Sequence, residues 1–485
     1  MQDSLPHGRG PVKDFILLGA LAIGAILVHG YHPAVEDAEI YLPGILKLVQ
    51  PSLFPRNAEF FQSHAGMSLF PNLVAASIRL AHAPVFYVLL AWQLACVFLL
   101  LLACWSFARL CFRHTYAVWC AAALVASLLT IPVAGTALYL MDQYVTARSL
   151  STPAAIFAAA SALQARWFRT ALWIVVAAVV HPLMAVFAAV YVVTVIACRR
   201  NSLVLGALLP ALFPVVTPVY REVMNTRPYF LLTNWEWYEW VGLFAPVLVL
   251  AAFARLARAR NFGLLALACR ALILFEAIFF AAAMVVSMPG RLERFAEIQP
   301  MRCLQLLYCL MFVLAGGLIG EFLLKNSVWR WALLFVPLCG GMWFSARQLF
   351  PATEHLEWPW VASSNPWVQA FDWIGTHTPE DAYFALDPYH STLPGEDVHG
   401  FRVLSRRSML ADANKDSGAA SMFPSIASEW KRQMDSQRGW KSFQLADFRR
   451  LKREQGVDGV VVESPGVAGL ECPYKNSVAL VCRID

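Results

Sequence analysis

A helical membrane bundle ending in a small α/β domain outside the membrane is the fold class this sequence predicts, and three observations predict it. First, 59% of the 485 residues are hydrophobic and only 14% are charged, where a water-soluble domain carries about 25% charged residues. Second, the apolar residues gather into runs of membrane-crossing length. Third, the charge is divided. Met1–Leu349 holds 24 Lys+Arg against 14 Asp+Glu, and Phe350–Asp485 holds 14 against 18. The reading is therefore a transmembrane domain at 1–349, with a first outside loop at 31–66, and an extramembrane domain at 350–485. The net charge of +6 comes from arginines that flank apolar runs. They form no basic stripe beside aromatics, so no nucleic-acid partner is expected.

The elements follow in chain order. Arg9 and Lys13 precede an apolar run at Phe15–Val28, and His29, Gly30, Tyr31, His32 and Pro33 come next. No small-residue cleavage site follows, so the run reads as a retained first span. Runs of membrane length lie at Phe15–Gly30, Pro84–Ala108, Tyr116–Leu140, Leu203–Tyr220, Val241–Ala254, Phe262–Val286, Met301–Leu324 and Trp329–Phe344. Ser151–Leu163 is shorter. Thr170–Ala197 is long, but His181-Pro182 should break it into two helices. The expectation is about 11 spans, or 9 if the short pieces do not cross.

Orientation follows from the basic residues. With the N-terminus inside, the inside connections hold Arg109/Arg113, Arg166/Arg169, Arg199/Arg200, Arg255/Arg258/Arg260 and Lys325/Arg330. The outside loops then hold Glu36, Asp37, Glu39, Glu59, Asp142, Glu222, Glu236, Glu239, Glu293 and Glu297. An odd number of spans sends the tail outside.

The tail has a different texture. Asn365-Pro366 reads as an N-cap with proline at the first helical position, opening a helix that Thr378-Pro379 ends. Strand-like runs follow at Ala382–Leu386, Phe401–Leu404, Val457–Val462 and Val478–Ile484, and an amphipathic helix fits Leu445–Glu454. Alternating helix and strand suggests a small α/β domain. Nine of the 11 cysteines lie in or beside apolar spans, where they serve as small apolar residues. Cys472 and Cys482 could pair in an oxidising compartment and close the hairpin that ends the chain. No cysteine or histidine spacing suggests zinc, and neither a P-loop nor an internal repeat is present.

The candidate chemistry begins in the first outside loop, His32–Phe61. Glu36, Asp37 and Glu39 sit where the first span leaves the membrane. The following stretches, with Tyr41, Leu42, Leu46 and Leu53, could lie on the interface. A carboxylate there could take a proton from an acceptor hydroxyl; the plainer reading is an outward acidic patch. Further along, His181 either faces a cavity or simply breaks a helix, and the structural role is favoured. Glu276 is a carboxylate near mid-membrane, and such residues face a cavity or a partner. Thr233–Trp240, TNWEWYEW, reads as an interfacial aromatic belt ahead of a sugar-stacking platform.

Several stretches together resemble the GT-C superfamily of membrane glycosyltransferases. They are HPAVEDAEIYLPGI, MDQYVTARSLSTP at Met141–Pro153, VVHPLMAVFAAV at Val179–Val190, WIGTHTPEDAYFALDP at Trp373–Pro388 and FRVLSRRS at Phe401–Ser408. The resemblance implies a lipid-phosphate-linked sugar donor, with the acidic pair of the first periplasmic loop, Asp37 or Glu36, as the catalytic base. Here the order is Glu-Asp rather than the more usual Asp-Asp or Asp-Glu. It implies inverting transfer from a polyprenyl phosphate to an envelope glycan, lipid or protein acceptor. The setting would be a bacterial inner membrane, with the N-terminus cytoplasmic and the tail periplasmic. Substrate contacts would involve Glu39, Asp142 and His181, with Arg148 foremost, then Arg291, Arg294 and Arg302, as cations for the leaving phosphate. Arginines at helix ends also snorkel to lipid headgroups without specificity. Glu36, Asp37 and Asp142 could supply oxygen ligands to a divalent Mg or Mn ion. Two alternatives stand beside transfer. A transporter or lipid flippase would use Glu276, and a non-catalytic scaffold would bind partners through the tail.

Overall fold

The computed structural model describes residues 11–200, 218–288, 295 and 298–484. They are mainly helical, with a short hairpin and a five-stranded sheet near the C-terminus. Among the described residues, six helical stretches are long and apolar enough to cross a membrane. They are Val12–His29, Val85–Cys111, Pro182–Arg200, Trp237–Ala259, Gly263–Val286 and Pro300–Leu324. Thr115–Ala126 and Trp167–Val180 are apolar but shorter. Most of the expected run at Leu203–Tyr220 lies outside the described residues.

The described residues form two compact units. The first takes in 11–30, 91–200 and the described part of 229–346; the second takes in 31–90, 218–228 and 347–484. A single boundary at 349/350 does not separate them, because the first outside loop belongs with the tail. The reason is apolar burial: Phe60, Tyr220, Val223, Ala419 and Trp430, from three separate stretches of chain, share one core.

In the first unit, helix Leu304–Ile319 packs closely on helix Thr115–Ala126. A Cβ at Gly316 would lie 2.8 Å from the Cys120 carbonyl oxygen, and one at Gly320 would lie 2.7 Å from the Ala117 Cα. Small residues four apart let two helix backbones approach where lipid supplies no hydrophobic drive. The run Tyr116–Leu140 is not one helix. It ends at Ala126 and gives way to an antiparallel pair, Pro132–Val133 (β1) and Leu138–Tyr139 (β2). Pro132 cannot continue a helix, and Gly135, at φ +63°, makes the turn. The break at His181 is found: helix Trp167–Val180 stops there and Pro182–Arg200 begins.

The second unit is built on strands Tyr383–Ala385 (β3), Ser408–Met409 (β4), Gly459–Glu463 (β5), Glu471–Lys475 (β6) and Ala479–Arg483 (β7), in the order β4-β3-β5-β7-β6. β3 runs parallel to β4 and β5, whereas β5–β7 and β7–β6 are antiparallel. Side chains alternate between the two faces. Val461 and Val481 meet Phe371 and Ile374 of helix Pro366–His377, while Val460, Val462 and Leu480 meet Phe448 and Leu451 of helix Leu445–Gln455. Asn365 caps the first of these helices, accepting from Trp367 N–H at 2.8 Å. Cys472 and Cys482 are joined across β6 and β7. The α/β layering of the tail therefore follows its sequence pattern.

Two expectations for this unit fail. Phe401–Leu404 is not a strand but the short helix Phe401–Ser405. Its first turn is held from another segment, because Glu39 accepts from the backbone N–H of Arg402 and Val403 at 3.0 and 3.2 Å. The second correction concerns Tyr41, Leu42, Leu46 and Leu53, which are buried in protein rather than laid on an interface.

Candidate functional site

The first loop enters the second unit as an extended piece. Tyr31 bridges Leu356 and Val35 bridges His399. Gly400 N–H donates to the Ala34 carbonyl at 2.8 Å, and Glu36 N–H to the Val398 carbonyl at 2.9 Å. Glu36 and Val398 both adopt left-handed backbone, at φ +53° and +60°. That conformation costs about 1–3 kcal/mol at a non-glycine residue and clusters at functional positions. Immediately afterwards Asp37 starts helix Ala38–Val49 without capping it through its side chain.

Glu36 and Asp37 share one ammonium. Lys415 Nζ lies at 2.5 Å from Glu36 Oε2 and 3.4 Å from Asp37 Oδ1. Both carboxylates remain partly open, with side-chain exposures of 39% and 28%, while Lys415 is 13% exposed. Burial pulls the lysine down, but Glu36 and Asp37 more than offset it, so its net direction is up and the ammonium stays charged. Lys415 is placed by the turn before it: Asp412 Oδ1 accepts from the backbone N–H of Asn414, Lys415 and Asp416.

Glu39 has a different fate. It is buried, and its partner is the fully buried Arg402. Arg402 Nη1 donates to Glu39 at 3.4 Å and to Asp416 Oδ1 at 3.1 Å, while Nη2 donates to Asp416 Oδ2 at 2.7 Å. The fork on Asp416 is bidentate. Burial pushes the Glu39 carboxyl up to about 8 against the pull of Arg402 and the backbone donors, and pushes Asp416 up to about 6. Glu39 thus ties the first-loop helix to the tail.

Beside this lies a second buried cluster. Glu357 accepts from His32 Nδ1 at 2.7 Å and from His399 Nε2 at 3.3 Å, and His399 Nδ1 donates to the Glu396 carbonyl at 2.7 Å. Burial works against the charge on His399, but Glu357 outweighs it and raises the imidazole to about 9. Burial would raise Glu357, yet His399 and His32 hold it down at about 2. With both ring nitrogens facing acceptors, His399 is an imidazolium.

The other expected site residues belong to the first unit. Asp142 and Arg148 form a buried ion pair at 3.0 Å, joined by the Thr146 hydroxyl, which donates to the same Asp142 oxygen at 3.2 Å. Thr146 also caps helix Ala147–Leu163 in a reciprocal box with Ser149. MDQYVTARS is therefore a loop-to-helix motif with its carboxylate and guanidinium turned on each other, and it is tied to other helices through Gln93 on the Asp142 carbonyl and Gln143 on the His29 carbonyl. His181 Nδ1 accepts from Met184 N–H at 3.4 Å, so it caps the helix it precedes. Arg302 lies in the turn Pro300–Cys303 and is half-buried. Arg291 and Arg294 lie outside the described residues. In TNWEWYEW, Trp237 and Tyr238 are exposed and Trp235 is buried, with its indole N–H on the Tyr229 carbonyl.

The cations of the second unit went unread in the sequence. Lys415 sits in ADANKDSG, which reads only as a turn, and no spacing rule connects it to a carboxylate 379 positions away. Arg402 lies in the FRVLSRRS stretch, whose pattern suggested a strand. Among the described residues no three or more His, Cys, Asp or Glu side chains converge as a metal site. No protein-family model and no curated protein sequence matches this chain.

Proposed function

We propose that this chain is a membrane glycosyltransferase of the GT-C type. Its substrates would be a polyprenyl-phosphate-linked sugar and an envelope acceptor on the periplasmic side of a bacterial inner membrane. The two shorter apolar helices would bring the six crossings to eight, and the expected eleven would also need the runs at Ser151–Leu163, Leu203–Tyr220 and Trp329–Phe344. The observation that carries the reading is the Glu36–Asp37 pair: partly exposed, at the start of a helix, on strained backbone, with a charged lysine on both carboxylates. In the reaction one carboxylate takes the proton of the acceptor hydroxyl. The freed oxygen attacks the anomeric carbon from the face opposite the lipid phosphate. The sugar–phosphate C–O bond then breaks, and the polyprenyl phosphate departs with the bonding pair. Asp37 is the base of choice, since Glu36 makes the shorter contact with Lys415. Lys415 brings to this pair the positive charge a Mg or Mn ion would bring, so the reading places no metal there; stimulation by either ion would reverse that assignment.

The test is sugar transfer by full-length Asp37→Asn and Glu36→Gln proteins in membranes. Loss of at least 100-fold in the first is expected, on the scale of a removed general base. Wild-type transfer by both folded variants overturns the reading. A transporter is favoured by one observation, the buried Glu276, whose carboxylate oxygens have no hydrogen-bond partner among the described residues. It predicts uptake or efflux abolished by Glu276→Gln, with Asp37→Asn neutral. The scaffold alternative predicts that neither change matters.

A further inference from the structure

Helix Phe70–Ala81 is apolar on both sides. Phe70, Val74 and Ile78 are buried in the second unit, as are Pro71 and Ala75. The opposite stripe, Leu69, Leu73 and Leu80, faces outward, and Leu80 is 84% exposed. The exposed Asn72 and Arg79 border that stripe, so the helix carries two apolar stripes where an amphipathic helix at a water surface has one. A second exposed apolar patch belongs to the same unit. Trp358 and Trp360 stack with centroids 5.2 Å apart, and Trp360 reaches Tyr87 at 6.1 Å. Trp360 and Val361 are more than half exposed, and Tyr87 nearly so.

The chain dictates what covers these side chains. Only four Cα steps separate Ala81 from Val85, the first residue of the crossing helix Val85–Cys111. At about 3.3–3.6 Å per residue, the stripe ends within roughly 14 Å of that helix's start. Tyr87 lies in the first turn of the same helix. Tryptophan and tyrosine at the end of a crossing helix sit at the headgroup level. An apolar helix face beside them is placed to sink about 5–10 Å into the headgroup–acyl boundary.

The geometry points to a lipid-binding face on the second unit. Leu69, Leu73 and Leu80, with Tyr87, Trp360 and Val361, rest in the boundary layer of the bilayer. This face is two helices further along the chain than the stretch the sequence suggested. It does not depend on sugar transfer, and it would hold the second unit, with its acidic pair, at the membrane surface.

The experiment uses the full chain in nanodiscs of phosphatidylethanolamine and phosphatidylglycerol. Nitroxide labels go on Leu73→Cys, Leu80→Cys and, independently, Val361→Cys, with the exposed Lys441→Cys as a water reference and the unsubstituted chain as baseline for the native cysteines. The ratio of collisions with oxygen to collisions with a water-soluble nickel chelate should be at least threefold higher at 73, 80 and 361 than at 441. Ratios equal to that at 441 overturn the proposal. So does protection from both reagents with spin–spin broadening, which would mean that a second copy covers the face.

Discussion

Glu36–Asp37 and Glu39 lie within one helical turn of each other, yet they sit in opposite environments. The first pair is partly open, and its lysine is its one described ammonium partner. Glu39 is sealed, and its guanidinium is shared with Asp416 while its oxygens also hold two backbone amides. The difference teaches that acidic residues clustered in sequence need not share a task. One set stands partly open to solvent, and the other fastens the loop that carries it.

Breaking the sealed set should have the largest effect on stability. Arg402→Leu leaves Glu39 and Asp416 buried without their cation, at a cost of about 3–5 kcal/mol. The second unit should become open to protease at temperatures the parent withstands. Replacing Cys472 and Cys482 by serine, which opens a link between residues 10 apart, should cost roughly 2–3 kcal/mol. It should leave the acidic pair's chemistry intact, as read by transfer at low temperature.

The pH dependence of stability comes next. His399 is raised to about 9, above the usual value of about 6.5. Its contribution is therefore complete below about pH 6.5 and is lost as pH rises through 9. Glu39, raised to about 8, contributes fully below about pH 4.5 and loses that contribution as pH rises through 8. Glu357, held at about 2, contributes fully above about pH 4.5 and loses that contribution as pH falls through 2. The melting midpoint of the second unit should fall between pH 6 and 9.5, and His399→Gln should flatten that decline above pH 6.5. An unchanged slope in the variant would remove His399 from the account.

The smallest effect on stability should come from the open pair. Lys415→Met should cost under about 1 kcal/mol, as expected for a pair with exposed partners, while lowering sugar transfer at least tenfold. A Lys415→Met protein that unfolds as readily as Arg402→Leu would erase the distinction between the two sets.

Much of the architecture was legible from local signals. The break at His181-Pro182, the Asn365 cap, the Cys472–Cys482 link and the apolar runs of β5 and β7 each depend on residues close in sequence. The failures have different reaches. Phe401–Ser405 is helical because a carboxylate more than 360 residues away accepts its first amides. Tyr41 and Leu46 are buried by the loop that follows them, Tyr41 against His64 and Phe70 and Leu46 against Leu53, Phe54 and Phe61. Asp142 with Arg148 could be read because they lie six apart on one turn, whereas Lys415 with Glu36 could not. Acidic positions showed up through charge and topology; their cations needed the fold.

The interleaving of the second unit has a consequence for its biosynthesis. Residues 31–90 leave the ribosome well before β7, which is flanked by β5 and β6. At about 5–20 residues per second, some 390 residues of further synthesis leave the early segment waiting for roughly 20–80 s. During that interval Phe60 and Phe61 have none of their tail partners and call for shielding by a chaperone or the membrane surface. A fragment excised near residue 350 would lack those same phenylalanines and Glu39, and should be recovered as an aggregating piece rather than a folded domain.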